Sequence, residues 1–218
     1  MAFWKKYVFL QALFLTVVMF LIGMYVGIVF EQKNLQKVEN FYSNSEVSLM
    51  DAWALNSLIN SGDASCDALK KANFEFADNI YNEALTLEEY EASGRITENM
   101  KLVHKKYDLL RTFLWMNSME IREKCPGNFS SVVYLYDFYT EDLTKKAEQR
   151  IWSRVLYDFK TLNSDNILLI PIGVSSDLTS LNLLKEKYNI SEYPVVIINE
   201  KYVITNMTSS DELFKYLN

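Results

Sequence analysis

The chain has 218 residues, of which 50% are apolar and 14% are aromatic, and its formal net charge is −6. This composition suits one or two folded domains and differs from that of disordered chains. The acidic balance, without a run of Lys and Arg, argues against a protein that binds nucleic acid by neutralising phosphates.

The first element along the chain is an apolar segment at residues 7–30. Its only clearly polar side chains are Gln11 and Thr16, and roughly 20 apolar residues in an α-helix cross the hydrocarbon core of a bilayer. A cleaved signal peptide has a shorter apolar region, of about 7–15 residues, followed by a small-x-small cleavage site. Residues 24–27 read MYVG and depart from such a site. We therefore expect an uncleaved transmembrane helix that contacts the lipid bilayer.

The basic residues that flank this helix nearly balance. Lys5 and Lys6 precede it, whereas Lys33 and Lys37 follow it. The first pair lies closer to the apolar segment and is joined by the α-amino group, and basic residues near a membrane favour its cytoplasmic side. We expect a single-pass membrane protein with residues 1–30 as cytoplasmic tip and anchor, and with residues 31–218 outside the cytoplasm.

Two other features agree with an extracytoplasmic location. The cysteines number two, Cys66 and Cys125, and an even number permits a disulfide bond in an oxidising compartment. Asn128, Asn189 and Asn206 each begin a triplet that fits the N-glycosylation pattern.

Residues 31–127 are expected to form a helical region, because apolar residues recur there at helical spacing. The stripes are Val38, Phe41, Tyr42, Val47, Met50, Trp53, Ala54, Ser57 and Leu58 in a first helix, Leu69, Ala72, Phe76, Ile80, Ala84 and Leu87 in a second, and Met100, Val103, Tyr107, Leu110, Leu114, Asn117 and Ile121 in a third. Gly94 would end the second helix and Thr97 would cap the third. Together these two helices form an antiparallel hairpin.

Such a hairpin brings Cys66, at the start of its first helix, close to Cys125, just past the end of its second. A disulfide bond between them would close a 59-residue loop and stabilise the fold by about 4 kcal/mol. A redox-active pair and two free thiols are the alternatives.

The single histidine, His104, is expected on the polar face of the third helix, without the further ligands that a zinc site needs.

Residues 128–218 show a different periodicity, which predicts the order βαβαββα. The expected strands are residues 132–136, 167–174, 194–198 and 202–204, with the third and fourth joined in a hairpin around Glu200 and Lys201. The expected helices are residues 142–160, with Leu143, Ala147, Ile151, Val155 and Leu156 facing inward, 178–188 and 211–217. The fold class is therefore α/β for this domain, behind a transmembrane helix and a helical hairpin.

This order resembles the minimal thioredoxin fold over about residues 130–218. Residues 188–197, which read YNISEYPVVI, look like the thioredoxin-family segment in which a helix ends and a cis-proline opens the next strand. The resemblance implies a cis peptide bond before Pro194 and places Pro171 in an edge strand, where a missing N–H is tolerated.

The reactive Cys-x-x-Cys of that family is missing here. In the family the pair stands at the start of the first helix, whose N-terminus stabilises a thiolate, whereas this chain has Glu141 and Asp142 there. The resemblance thus implies a redox-inactive domain without catalytic residue, cofactor or metal. What it retains is a groove for extended polypeptide, bordered by Phe138, Tyr139, Glu192, Tyr193 and Pro194. Alternatively, Pro194 only shapes the fold and the aromatic side chains belong to the core.

From these features we expect a membrane-anchored module that binds or assembles an unknown protein partner. One alternative is a membrane-tethered thiol–disulfide oxidoreductase that uses Cys66 and Cys125. Another is a structural anchor that forms homo-oligomers through Gly23 and Gly27, a small-xxx-small pair of the kind that brings transmembrane helices together.

Overall fold

The computed structural model describes the backbone of residues 2–62, 64–91, 98–163 and 165–217. Within these ranges it describes the side chains of residues 7–32, 43, 46–62, 64–85, 101–163 and 165–217. The chain divides into two compact units, Met1–Glu46 and Val47–Asn218. Gly94 and Thr97, together with the side chains of Val38, Phe41, Tyr42, Leu87 and Met100, lie outside the described residues.

The first helix, α1, comprises Ala2–Ser61 and continues through residues 43–45, where three small polar residues follow one another. Within its stretch Tyr7–Gln32, a window of 18 residues has a mean hydropathy of 2.6 and contains no buried residue. This confirms that the N-terminal segment is long and apolar enough to cross a membrane.

Helices α2, Cys66–Glu91, and α3, Glu98–Lys124, pack against each other in antiparallel orientation. Ser65 caps α2, since its hydroxyl oxygen accepts a hydrogen bond from the Ala68 N–H at 3.3 Å. The predicted disulfide bond between Cys66 and Cys125 is confirmed. Between the two helices, the buried amide of Asn73 donates to the Ser118 hydroxyl oxygen at 2.9 Å. A covalent link and a buried hydrogen bond therefore set the register of the pair.

The prediction for the buried face of α1 was wrong within the second unit. Val47, Met50, Trp53 and Leu58 are exposed by 55–67%, whereas Ala52 and Ile59 are fully buried. Polar contacts explain the rotation, because the Asn56 amide donates to the Asn117 oxygen at 3.1 Å and to a Glu120 oxygen at 2.9 Å. Hydrogen bonds to α3 thus turn the bulkiest apolar side chains of this stretch outward.

The C-terminal part follows the predicted order βαβαββα. Its elements are β1 Ser130–Tyr136, α4 Leu143–Leu162, β2 Ile167–Gly173, α5 Thr179–Lys187, β3 Val195–Ile198, β4 Tyr202–Ile204 and α6 Ser210–Leu213, followed by a 3₁₀ turn at Phe214–Tyr216. The four strands form one mixed sheet in the order β2-β1-β3-β4. Strand β1 is parallel to β2 and antiparallel to β3, and β4 is antiparallel to β3. Pro171 therefore lies in an edge strand of this sheet, as expected.

Helices cover both faces of the sheet. Trp152, Leu156 and Phe159 of α4 join Val132 and Tyr134 of β1 in one core, to which α6 contributes Leu213. Helix α3 lies on the opposite face, where its Arg122 donates to the Ser131 hydroxyl, and it also contacts α5. Successive strand residues point to opposite faces, which places β1 between two apolar layers.

The prediction for α4 was wrong for three of its five inward residues. Leu143 is 78% exposed and Ile151 54% exposed, and Ala147 is exposed as well. The buried row instead contains Trp152 and Phe159, whose rings bury more apolar area than aliphatic side chains. Helix α4 therefore buries the face that carries these aromatic side chains and exposes most of the row that was predicted to face inward.

The turn between β3 and β4 is centred one residue earlier than predicted, on Asn199 and Glu200. Both have positive φ, 55° and 56°, and the Lys201 N–H donates to the Ile198 carbonyl at 3.1 Å. Two central residues with positive φ define a type I′ turn, which matches the twist of the flanking strands. The Glu200 carboxylate accepts from the Ser131 hydroxyl at 2.6 Å and from Trp115 Nε1 at 3.2 Å, and it pairs with Arg122. This turn therefore fastens the sheet to α3.

Candidate functional site

The candidate site lies at the end of the sheet where β1 and β2 finish and β3 begins. In the register, Leu135 faces Val195, so extending the ladder by one residue brings Tyr136 opposite Pro194. The Tyr193–Pro194 peptide bond is cis. Because the carboxyl ends of β1 and β2 meet here, the loops after both strands join the site, which is where open α/β sheets commonly bind ligands.

The loop after β1 is held firmly by α4. The Asp137 N–H donates to Gln149 Oε1 at 2.6 Å, and Gln149 Nε2 donates back to the Asp137 carbonyl at 3.2 Å. The Ser175 hydroxyl, from the loop after β2, donates to Asp137 Oδ1 at 2.6 Å and accepts from the Tyr139 N–H at 3.3 Å. These hydrogen bonds fix the backbone that carries Phe138 and Tyr139.

The five predicted groove residues differ in exposure. Phe138 and Tyr139 are 37% and 41% exposed, and Glu192 is exposed too. Tyr193 is half-buried, with Lys185 Nζ lying 5.8 Å from its ring centroid, and Pro194 is buried. The site thus presents two aromatic side chains and a carboxylate around a buried proline.

His104 belongs to this site, although the sequence predicted it on the polar face of α3. It is half-buried, and its ring centroid lies 4.3 Å from that of Phe138 and 6.5 Å from that of Tyr139. Val103 and Tyr107, one turn apart, are buried, and His104 lies beside them at the edge of that buried face. Helix α3 therefore forms a wall of the site.

Asp108, one turn further along α3, joins the helical region to the loop after β2. Its carboxylate accepts from the Gly173 N–H at 2.8 Å and from the Ser176 hydroxyl at 2.5 Å. Burial raises the pKa of Asp108, while the Ser176 hydrogen bond and Arg111 oppose that rise. A Cβ at position 173 would lie 3.1 Å from Asp108 Oδ2, so this close approach favours glycine.

The start of α4 carries a carboxylate at the position where a Cys-x-x-Cys pair would stand if this domain carried out thiol–disulfide exchange. Asp142 caps the helix, because its Oδ1 accepts from the N–H groups of Thr144 at 2.8 Å and Lys145 at 3.3 Å. The two cysteines are bonded to each other, and Cys125 precedes β1, whereas the site follows it. The seven residues of β1 separate them by about 20 Å. Both cysteines therefore lie away from this site, and the start of α4 presents the Asp142 carboxylate to it.

A polar cleft of about 480 Å³ lies at the other end of the sheet, with Asn128, Asn166 and Asn199 in its lining. Hydrogen bonds within the chain use these amides. Asn128 donates to the Cys66 carbonyl at 2.9 Å, the Asn166 oxygen accepts from Lys70 at 3.2 Å, and the Asn199 oxygen accepts from the Ser131 N–H at 3.1 Å. The amides therefore connect the helical region and the strands.

No known protein family, curated protein or solved structure matches this chain.

Proposed function

We propose that this protein is a membrane-anchored, redox-inactive, thioredoxin-like module that binds or assembles other proteins outside the cytoplasm. The observation that carries the proposal is the sheet order β2-β1-β3-β4, with Pro194 immediately before β3 and next to the end of β1. This is the strand order of the minimal thioredoxin fold, and the end of the sheet in question is the one that the family uses to hold extended polypeptide.

The chemistry around Pro194 supports binding. Phe138 and Tyr139 expose aromatic surface on a backbone held by Gln149 and Ser175, and aromatic side chains on rigid backbone are typical anchors of protein interfaces. The apolar segment Tyr7–Gln32 would keep this surface at a membrane.

Site-specific photocrosslinking in cells tests the proposal. A benzophenone amino acid replaces Tyr139 in the full chain, and a matched control carries it at Lys201, which is exposed at the opposite end of the sheet. We expect a discrete protein adduct from position 139 only, and we expect its loss when Tyr193→Ala and Glu192→Ala are added. Equal adducts from both positions, or none from position 139, would reject the groove as a binding site.

A further inference from the structure

The polar cleft at the end of the sheet where β1 begins has the size of a small-molecule site. Its volume is about 480 Å³, and pockets that hold small ligands usually measure about 300–1,000 Å³. Phe129, a large apolar side chain of the lining, is 4% exposed. The ring of Tyr202 has Lys201 Nζ at 4.9 Å from its centroid. The cleft therefore offers a ligand polar groups and little apolar surface.

One part of the lining is held in place by hydrogen bonds within the fold. The Asn199 side chain accepts from the Ser131 N–H at 3.1 Å and donates to the Ser130 hydroxyl oxygen at 3.4 Å. It also donates to the Tyr216 carbonyl at 3.3 Å. The Ser130 hydroxyl donates in turn to the Leu217 carbonyl at 3.4 Å. A ligand would therefore meet a pre-organised surface, which reduces the conformational entropy lost on binding.

The other three asparagines of the lining keep hydrogen-bonding capacity. Asn128 Nδ2 donates to the Cys66 carbonyl, and Asn166 Oδ1 accepts from Lys70. Within the described part of the chain, the opposite ends of these two amides, Asn128 Oδ1 and Asn166 Nδ2, have no hydrogen-bond partner. The side chain of Asn163, which is half-buried, has none there either. The cleft thus presents an acceptor, a donor and a group that can act as both.

A ligand that satisfies this set must both donate and accept hydrogen bonds. A phosphate dianion or a carboxylate only accepts, so it would leave the oxygens of Asn128 and Asn163 without a donor once water is displaced. An ammonium ion only donates, so it would leave Asn166 Nδ2 without an acceptor. A hydroxyl group does both, and a sugar ring carries several hydroxyl groups side by side on a small framework. The chemistry of the cleft therefore matches a sugar.

We propose that this cleft binds a carbohydrate, whose hydroxyl groups form hydrogen bonds with the side chains of Asn128, Asn163 and Asn166. Lys201, which is exposed in the lining, adds a further donor. A peptide also donates and accepts, but its apolar side chains would find little apolar surface here. The site goes beyond the proposed function. It depends neither on the membrane anchor nor on the groove at Pro194, which lies at the opposite end of the sheet.

A microarray of defined oligosaccharides tests the proposal with the full chain, kept in a detergent that has no sugar headgroup. We expect binding to a subset of the glycans, and titration with the strongest of them gives its Kd. Excess inorganic phosphate, which lacks the donors that the amide oxygens need, is expected to leave that Kd unchanged. Absence of binding to every glycan on the array would overturn the proposal. Displacement of the glycan by phosphate would also overturn it, in favour of an anion site.

Variants at two asparagines locate the contact. Asn166→Asp keeps an oxygen that accepts from Lys70 but replaces the donor Nδ2 by a second acceptor, and Asn163→Ala removes a side chain that forms no hydrogen bond within the described part of the chain. We therefore expect unchanged thermal unfolding. For the two changes together we expect about tenfold weaker binding of the glycan, as the loss of two ordinary hydrogen bonds implies.

Asn79→Ala with Asn206→Ala is the matched control, because both side chains are exposed and lie outside the cleft lining. We expect this control to bind the glycan as the unchanged protein does. Full binding by the variant at positions 163 and 166, or an equal loss in the control, would overturn the proposal. Crosslinking from position 139 reports on the groove separately, whatever the array shows.

Discussion

Asp108 shows how one buried side chain can join two parts of a chain. It is 5% exposed, and both of its hydrogen-bond donors, Gly173 and Ser176, belong to the strand and loop that face α3. Burial raises its pKa, which means that the folded protein holds a proton on this group more strongly than the unfolded chain does. Ionisation therefore costs the folded state free energy even though the carboxylate accepts two hydrogen bonds.

A pH dependence of stability follows from that sign. The pKa of Asp108 is higher in the folded protein than in the unfolded chain, where it is about 3.9. Its contribution to the free energy of unfolding is therefore fully present below the unfolded pKa and is lost as the pH rises through the folded pKa. Asparagine does not titrate, so we expect the destabilisation caused by Asp108→Asn to shrink as the pH rises above about 4. Urea unfolding of the full chain in detergent at several pH values measures it.

Glu212 provides a control of opposite sign. Its pKa is lowered, chiefly by the hydrogen bond from Thr208 and also by Lys215, so its contribution is present at neutral pH and is lost on acidification. The cost of Glu212→Gln should therefore grow as the pH rises. A cost of Asp108→Asn that also grew with pH would contradict the burial argument.

At the scale of elements, the β3–β4 turn combines an unfavourable backbone with favourable contacts. A non-glycine residue in the left-handed region costs about 1 kcal/mol, and Glu200 lies there. Its carboxylate nevertheless accepts from Ser131 and Trp115 and pairs with Arg122, with both charged side chains largely buried. The contacts of Glu200 stabilise the fold by more than its backbone conformation costs, because breaking a buried ion pair costs roughly 3–5 kcal/mol.

Glycine at this turn therefore has two opposing effects. Glu200→Gly relieves the backbone but leaves Arg122 without its partner, and we expect a net loss of about 2 kcal/mol in the free energy of unfolding. Asn189→Gly is the matched control, because Asn189 has φ of 54° with an exposed side chain. We expect that change to be neutral or slightly stabilising, as measured by thermal unfolding. If both substitutions stabilised the protein, the contacts of Glu200 would contribute little.

The elements were easier to predict than the faces they bury. Continuous apolar runs marked β1 and β2, and helical spacing in α2 placed Leu69, Phe76 and Ile80 in the core, where they lie. In α1 and α4 there are more apolar side chains than one helix face can bury. Contacts with residues distant in sequence therefore decide which face is buried. For α1 those were Asn117 and Glu120. Spacing along the chain carries no information about such partners.

The same reason explains which parts of the site could be predicted. The positions of Phe138 and Pro194 follow from where β1 ends and β3 begins, which the sequence indicates locally. The contact between His104 and Phe138 depends on how α3 lies across the sheet. That packing is fixed by Asp108 and Glu200, whose partners lie more than 60 residues away in the chain.

At the scale of the whole molecule, the disulfide bond and the apolar segment Tyr7–Gln32 both bear on where the protein is located. A bond that closes 59 residues contributes about 4 kcal/mol in the loop-entropy model, and such bonds persist in oxidising compartments. If residues 31–218 lie outside the cytoplasm, Cys66 and Cys125 stay paired in the cell. If they lie inside, cellular reductants keep thiols free.

Labelling in intact cells decides between these locations. Cys66 is exposed, so an external reductant can attack the bond and release a thiol that a membrane-impermeant maleimide modifies. We expect modification of intact cells only after such reduction, and none when the reductant is omitted, because an extracytoplasmic pair is oxidised and accessible. Cys66→Ser with Cys125→Ser controls for specificity. Modification that needs lysis but no reductant would place the domain in the cytoplasm. An extracytoplasmic groove and a structural disulfide bond in the cell would then both be wrong, because both depend on the same orientation of the N-terminal helix in the membrane.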